Sequence, residues 1–265
     1  MSIADIVDLE RYPLDRLDSP EGQRLVAGSK AELTDRGMFN LTGLVRPAAL
    51  RRAVAELKPI LDTKAFVHER RHNIYFKKDI PGLPPDHPAL RQVTTVNHTI
   101  CADQMPPEAV VLSLYEWPAM AVFLARVMDK PRLYTMPDPL ARVNVMAYRA
   151  GETLNWHFDR SEFTTTLLLQ APESGGAFEY RTDLRSDADP NYEGVARLLA
   201  GKDPLSRIEP LSAGTLNVFR GRNTAHRVTT VEGSRERIIA VFSYYERPGV
   251  MFTEEERIGF YGRTA

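Results

Sequence analysis

The chain has 265 residues, 34 basic against 35 acidic side chains, and one cysteine. That length supports one sizeable hydrophobic core with attachments, the balanced charge argues against an obligate nucleic-acid or anionic-membrane partner, and the lone Cys101 excludes an internal disulfide framework. No apolar run approaches the roughly 20 residues of a membrane helix, and Met1–Glu10 carries acids where a signal peptide carries lysines; the expectation is a cytoplasmic monomer or homodimer acting on a small molecule.

In chain order, Ser19-Pro20-Glu21 opens a helix that Gly37 stops. Met38–Val45 is short and apolar, a strand. Pro47 opens a clearer helix, with Leu50, Val54, Leu57 and Leu61 along one stripe. Across Phe66–Phe76, strand parity places Phe66, His68, Arg70, His72, Ile74 and Phe76 on one face. Two readings fit: a charged edge strand, or a clamp in which the Arg70 fork, with His72 or His98, takes a carboxylate in two-point fashion. Residues 77–106 read as an ordered loop or lid. Pro107–Met128 reads as two short helices broken at Pro118, with Glu116 and Trp117 at the junction; Glu116 is either a solvated helix residue or a partner for an amine.

From Arg132 the period becomes that of strands. Arg132–Met136, Ala141–Tyr148, Leu154–Asp159, Phe163–Gln170, Ala177–Asp183, Thr215–Arg220, Ala225–Val231 and Arg237–Tyr245 make eight, which only a barrel or sandwich accommodates. A helical Tyr192–Leu199 interrupts them, and Thr253-Glu-Glu-Glu256 fits a capping box opening a last helix. The expected organisation is a single domain over 1–265: a helical cover and substrate-binding segment over 1–131, a β core over 132–250, and a tail over 251–265.

Within this core, Asn155-Trp-His-Phe-Asp159 puts His157 and Asp159 on one strand face, with Trp156 and Phe158 on the other. His-x-Asp alone is a weak signal, often only a hydrogen-bonded pair. A third ligand, His226, from a strand 69 residues on would complete a two-histidine, one-carboxylate set of the kind that leaves an octahedral iron half open. Beyond it, Arg235 and Arg237 begin an apolar strand, where an arginine needs a counter-charge: a dicarboxylate co-substrate, or locally Glu232 or Glu236.

The series Tyr148-x-x-Gly151, His157-x-Asp159, Gly214-Thr-Leu, Phe219, His226-Arg-Val, Gly233-x-Arg235 resembles the iron(II)- and 2-oxoglutarate-dependent oxygenases over roughly Arg132–Tyr245. The resemblance implies an α+β fold with a double-stranded β-helix (jelly-roll, cupin-like) core under an N-terminal helical layer. It implies Fe(II) on His157, Asp159 and His226, 2-oxoglutarate and O2 as co-substrates with ascorbate a stimulant, and 2-oxoglutarate held by Arg235 or Arg237 with Tyr148 beside it. Arg235 is preferred, because it follows the glycine turn. More narrowly, His72-Asn-Ile-Tyr, Tyr115-Glu-Trp-Pro, Trp156-His-Phe-Asp-Arg-Ser-Glu-Phe, Phe219-Arg-Gly-Arg-Asn and Phe260-Tyr-Gly-Arg are similar to the free amino-acid halogenases and hydroxylases typified by a lysine chlorinase (the HalD/BesD type). Halogenating members carry glycine in place of the iron-binding acid, and this chain keeps Asp159. The implied reaction is therefore hydroxylation of an unactivated carbon of a free amino acid, such as the basic lysine. The alternatives are a halogenase-like oxygenase, an oxygenase acting on a carrier-bound or other small metabolite, and a non-catalytic barrel that binds a metal or ligand.

Overall fold

The computed structural model describes residues 1–264. In order the elements are α1 (Ile3–Ile6), α2 (Pro20–Arg36), β1 (Met38–Leu41), α3 (Pro47–Lys64), β2 (Phe66–His72), β3 (Val93–Cys101), α4 (Val110–Glu116), α5 (Pro118–Val127), β4 (Tyr134–Thr135), β5 (Val143–Tyr148), β6 (Leu154–His157), β7 (Thr164–Gln170), β8 (Ser174–Gly175), β9 (Phe178–Arg181), α6 (Tyr192–Leu199), β10 (Arg207–Glu209), β11 (Leu216–Phe219), β12 (Ala225–Val228), β13 (Val231–Glu232), β14 (Arg237–Phe242), β15 (Tyr244–Tyr245) and α7 (Glu254–Tyr261).

Two sheets make the core. The large one runs β1-β11-β7-β14-β5-β3-β2 and the small one β10-β9-β12-β6. All their pairings are antiparallel. Alternation then sorts the side chains of the large sheet. Val143, Val145 and Ala147 of β5, with Ile238 and Ala240 of β14, join one apolar cluster with Leu57 and Leu61 of α3 and Leu112 and Leu114 of α4. Each such buried leucine contributes about 1.5–3 kcal/mol relative to exposure. The opposite face, carrying Tyr148 and Arg237, looks toward the small sheet.

Local chemistry sets the element ends. Ser19 accepts from the Gly22 amide at the start of α2, and Gly37 closes that helix at φ 71°, where a side chain would be strained. Pro118 separates α4 from α5, which meet at a 59° bend. Thr253 and Glu256 form the expected capping box of α7.

Three expectations change. The 77–106 segment contains the nine-residue β3, built of β-branched and polar residues and paired along its length with β2. The N-terminal half is therefore no purely helical cover, since β1, β2 and β3 belong to the large sheet. The Phe66–Phe76 strand stops at His72, because the Asn73 side chain accepts from the amides of Tyr75 and Lys77 and turns the chain.

Candidate metal centre and active site

β6 and β12 lie side by side in the small sheet with His157 opposite His226, their ring centroids 4.1 Å apart. Asp159 lies two residues past the end of β6, and its amide donates to the Gly221 carbonyl at 3.0 Å, so a loop bond rather than the ladder sets its position. One donor atom from each of His157, Asp159 and His226 lies within 4.8 Å of the others.

The tautomers follow from the partners. His157 Nδ1 is 2.8 Å from the Asn155 carbonyl and His226 Nδ1 is 3.0 Å from the Thr224 carbonyl. A carbonyl only accepts, so each Nδ1 carries the proton and each Nε2 presents a lone pair. Those Nε2 atoms sit 3.4 Å from Asp159 Oδ1 and Oδ2 respectively. Burial and the neighbouring His226 depress the His157 pKa, favouring the neutral ring. Burial pushes the Asp159 carboxyl up, but the attraction of His226 and His157 in their protonated form outweighs it and holds it well below the usual range. Two lone pairs facing a carboxylate is an arrangement that a cation relieves, and two nitrogens with one oxygen donor suit a first-row divalent metal. The residues fit iron(II).

Two groups seat the carboxylate. Thr164 Oγ1 donates to Asp159 Oδ2 at 2.5 Å. Gly221 leaves room on the same side: a Cβ there would stand 2.5 Å from Asp159 Oδ2 and 2.6 Å from Thr164 Oγ1.

Deeper between the sheets, Arg237 of β14 lies opposite Tyr148 of β5 and is 1% exposed. Its Nε donates to the Gly176 carbonyl at 3.0 Å, while Nη1 is buried without a partner. Burial lowers its pKa to about 10 and pushes the Tyr148 hydroxyl up to about 12. Leu168, Val231 and Ile239 form the apolar wall around Tyr148. A buried cation with an unused donor is suited to a carboxylate.

Arg235, the preferred residue of the two, is placed differently. Arg235 precedes β14, so strand alternation does not apply to it; it is exposed and donates to the Pro172 carbonyl. It lines a groove of about 370 Å³ with Leu50 and Val54 of α3, on the helical side of the sheet.

The other expected residues divide. Arg70 and His72 share a face of β2 with His68, as parity required. That face looks inward, because Thr95, paired with Arg70, accepts from the Asn155 amide of β6. His72 is buried, with Nε2 2.9 Å from Thr95 Oγ1 and its ring stacked 4.4 Å from Phe76. Phe76 in turn sets its edge against His157 at 5.8 Å and carries the Arg70 guanidinium 4.5 Å over its ring. Phe76 holds this place at φ 54°, a left-handed conformation uncommon for an aromatic residue.

His98 does not join them. It shares its face with Ile100, toward the helices, and its Nε2 lies 2.8 Å from Glu152. Glu116 is exposed at the end of α4 and bound to Arg142 at 2.6 Å, so neither residue meets the metal centre. In their place come residues that the sequence did not single out: Phe76, Thr164, Gly221 and Arg160. Of these, Arg160 and Gly221 stand inside two of the phrases that carry the resemblance, and that proximity to His157 and His226 was their only signal.

α7 completes the mouth. Tyr261 donates to Asn144 Oδ1 at 2.9 Å, and Arg160, next to the metal ligand, pairs with Glu256 at 2.9 Å. Asp138 fixes the start of this segment, accepting from the Leu140, Ala141 and Phe252 amides and from Arg257.

Residues 22–251 match the family model described as halogenase D. No curated protein matches the chain in sequence. Among solved structures, a 2OG-Fe(II) oxygenase family oxidoreductase from Burkholderia pseudomallei aligns over 85% of this chain and 92% of its own, at 15% identity and TM-score 0.51. A Pseudomonas putida prolyl-4-hydroxylase aligns over 82% and 97%, at 14% identity and TM-score 0.51. HygX from Streptomyces hygroscopicus, solved with nickel, 2-oxoglutarate and hygromycin B, aligns over 82% and 86%, at 13% identity and TM-score 0.55. These likenesses establish the fold as that of the 2-oxoglutarate oxygenases.

Proposed function

This chain belongs to the halogenase D family of iron(II)- and 2-oxoglutarate-dependent oxygenases, and from that premise we propose that it hydroxylates an unactivated carbon of a free amino acid. The observation that carries hydroxylation over halogenation is Asp159. Its carboxylate stands between the two histidine Nε2 atoms and is held there by Thr164, where the halogenating relatives carry glycine.

The balanced reaction takes substrate C–H, O2 and 2-oxoglutarate to substrate C–OH, succinate and carbon dioxide, one oxygen atom entering each of the two organic products. The bound metal, with its co-substrate, supplies the oxygen activation that no side chain can. His157, Asp159 and His226 would hold the metal, their geometry fixed by the Nδ1–H bonds to Asn155 and Thr224. Arg237 would receive the far carboxylate of 2-oxoglutarate, with Tyr148 and Leu168 excluding water around it. Arg70, its guanidinium 4.5 Å over the Phe76 ring beside His157, would hold the substrate carboxylate. Positioning by such groups is the protein's main contribution to rate.

The test is succinate release coupled to a mass gain of one oxygen in an amino acid, with chloride present. Release should require iron(II), 2-oxoglutarate and O2, and His157→Ala should abolish it. A chlorinated product from the wild-type enzyme would overturn the hydroxylase reading.

A further inference from the structure

We propose that Asn97 completes the carboxylate seat begun by Arg70, and that the two together select a free α-carboxylate over an amide or a thioester. This rests on the free amino-acid reading above and names the residue that would enforce it.

The position follows from register. Thr99 of β3 is paired with Met146 of β5, and Met146 packs against the wall that holds Tyr148 and Ile239, so Thr99 looks into the space between the sheets. Alternation gives Asn97 and Thr95 the same outlook, and Thr95 bears it out by accepting from the Asn155 amide of β6. On the neighbouring strand His68 stands opposite Asn97, and Arg70 opposite Thr95. Arg70 and Asn97 are therefore diagonal neighbours on one face, about 7–8 Å apart and within reach of one small ligand.

Hydrogen bonding leaves Asn97 as a donor only. The side chain is 5% exposed, and Thr99 Oγ1 donates to its Oδ1 at 2.6 Å, which fixes the amide plane. Its Nδ2 carries two N–H groups and has no partner among the described residues. Arg70, its guanidinium over the Phe76 ring, makes no hydrogen bond or ion pair there either. The nearby histidines do not compete for the role. His72 Nδ1 faces the Asn73 carbonyl and so carries the proton, while its Nε2 accepts from the Thr95 hydroxyl. Burial depresses its pKa, so the ring is neutral with no donor to spare. His98 belongs to Glu152 on the other face.

A carboxylate offers one oxygen to the Arg70 fork and another to Asn97. A carboxamide would turn an N–H group against one of these donors, and a thioester has a single strong oxygen acceptor. Either leaves a donor of the pair unmatched, and a site built to bond a group rejects the analogue lacking it. The seat thus separates a free amino acid from a carrier-bound one.

The iron(II)-loaded enzyme with 2-oxoglutarate is given the twenty common amino acids as a mixture, and the one that gains an oxygen is compared with its own α-carboxamide. The wild type should favour the acid by about 10- to 100-fold in kcat/KM, the range of a lost charged hydrogen bond. Asn97→Asp keeps the bond from Thr99 but turns an acceptor on the substrate. KM for the acid should rise about 10- to 100-fold with kcat little changed, and the acid-to-amide ratio should fall to about one or below. Affinity for 2-oxoglutarate, read by calorimetry with manganese(II), should stay unchanged. Asn97→Ser, smaller and neutral, should move KM and the ratio the same way by about tenfold if the aspartate variant folds poorly. Equal use of acid and amide by the wild type, or an unchanged ratio in a variant with wild-type circular dichroism, overturns the role of Asn97. Weakened 2-oxoglutarate binding beside that unchanged ratio gives the amide to the co-substrate instead. If 2-oxoglutarate is converted to succinate but no amino acid gains oxygen, the free amino-acid reading fails and this seat with it.

Discussion

Tyr148 and Arg237 face each other across β5 and β14, the guanidinium carbon 5.9 Å from the ring centroid, and neither reaches solvent. A buried cation without a counter-charge costs the cofactor-free protein stability. Arg237→Met, similar in length and neutral, should therefore raise the melting temperature of the protein without 2-oxoglutarate by a few degrees, on the order of 1 kcal/mol. It should also weaken 2-oxoglutarate binding by about 100-fold or more, measured by calorimetry in the presence of manganese(II). Unchanged 2-oxoglutarate affinity would remove Arg237 from the site.

Gly221→Ala and Thr164→Val address the seat of Asp159. The alanine Cβ would press on Asp159 Oδ2, and the valine removes the donor from the same oxygen. Each should cost about 10- to 100-fold in manganese(II) or cobalt(II) affinity, with the circular dichroism spectrum retained. Thr164→Ser should recover most of the loss; if it does not, the hydroxyl is not what orients the carboxylate.

How far the sequence reached is clearest at these positions. The triad was legible because the His-x-Asp spacing and the distance to His226 fit two neighbouring strands, although Asp159 itself lies past the end of β6 and is placed by its bond to Gly221. Most core strands, the Pro118 break and the α7 cap follow from period, proline and capping chemistry. β3 was hidden because a proline- and lysine-rich lead-in and two polar residues, Asn97 and His98, mask its alternation. The choice between Arg235 and Arg237 turned on where β14 begins, a boundary that local composition does not fix. The roles of Gly221 and Thr164 exist only in the folded contact: Gly221 reaches Asp159 from a loop distant in sequence, and Thr164, at the start of β7, meets it across the turn that follows β6.

Phe76 depends on Asn73. The Asn73 side chain accepts from the amides of Tyr75 and Lys77 and donates to the Lys77 carbonyl at 2.6 Å, bracing the left-handed residue between them. Asn73→Ala should lower stability by about 1–3 kcal/mol and free the ring that supports Arg70. Substrate KM should rise, and the ratio of oxygenated product to succinate should fall as co-substrate is consumed without productive binding. An unchanged ratio would show that Phe76 does not position the substrate arm.

Asp138 gives the fold an acid limit. Burial pushes its carboxyl up, but the Ala141, Leu140 and Phe252 amides and Arg257 outweigh this and hold it below its ordinary value of 3.8. A carboxylate with a depressed native pKa contributes stability that is complete above the unfolded value and is lost as pH falls through the native one. Urea midpoints should therefore drop steeply below about pH 4. Asp138→Asn should be less stable than wild type at pH 7 and show a shallower fall; parallel curves for the two proteins would assign the acid limit elsewhere.

α7 follows every barrel strand in the chain, yet it carries Glu256 to Arg160 and Tyr261 to Asn144. During synthesis the barrel can therefore assemble before its mouth is finished. The metal triad, the buried Arg237 and Arg70 are all translated before α7. An oxidising centre built in this order stays open-mouthed, and poorly able to retain a substrate, until α7 has left the ribosome and docked.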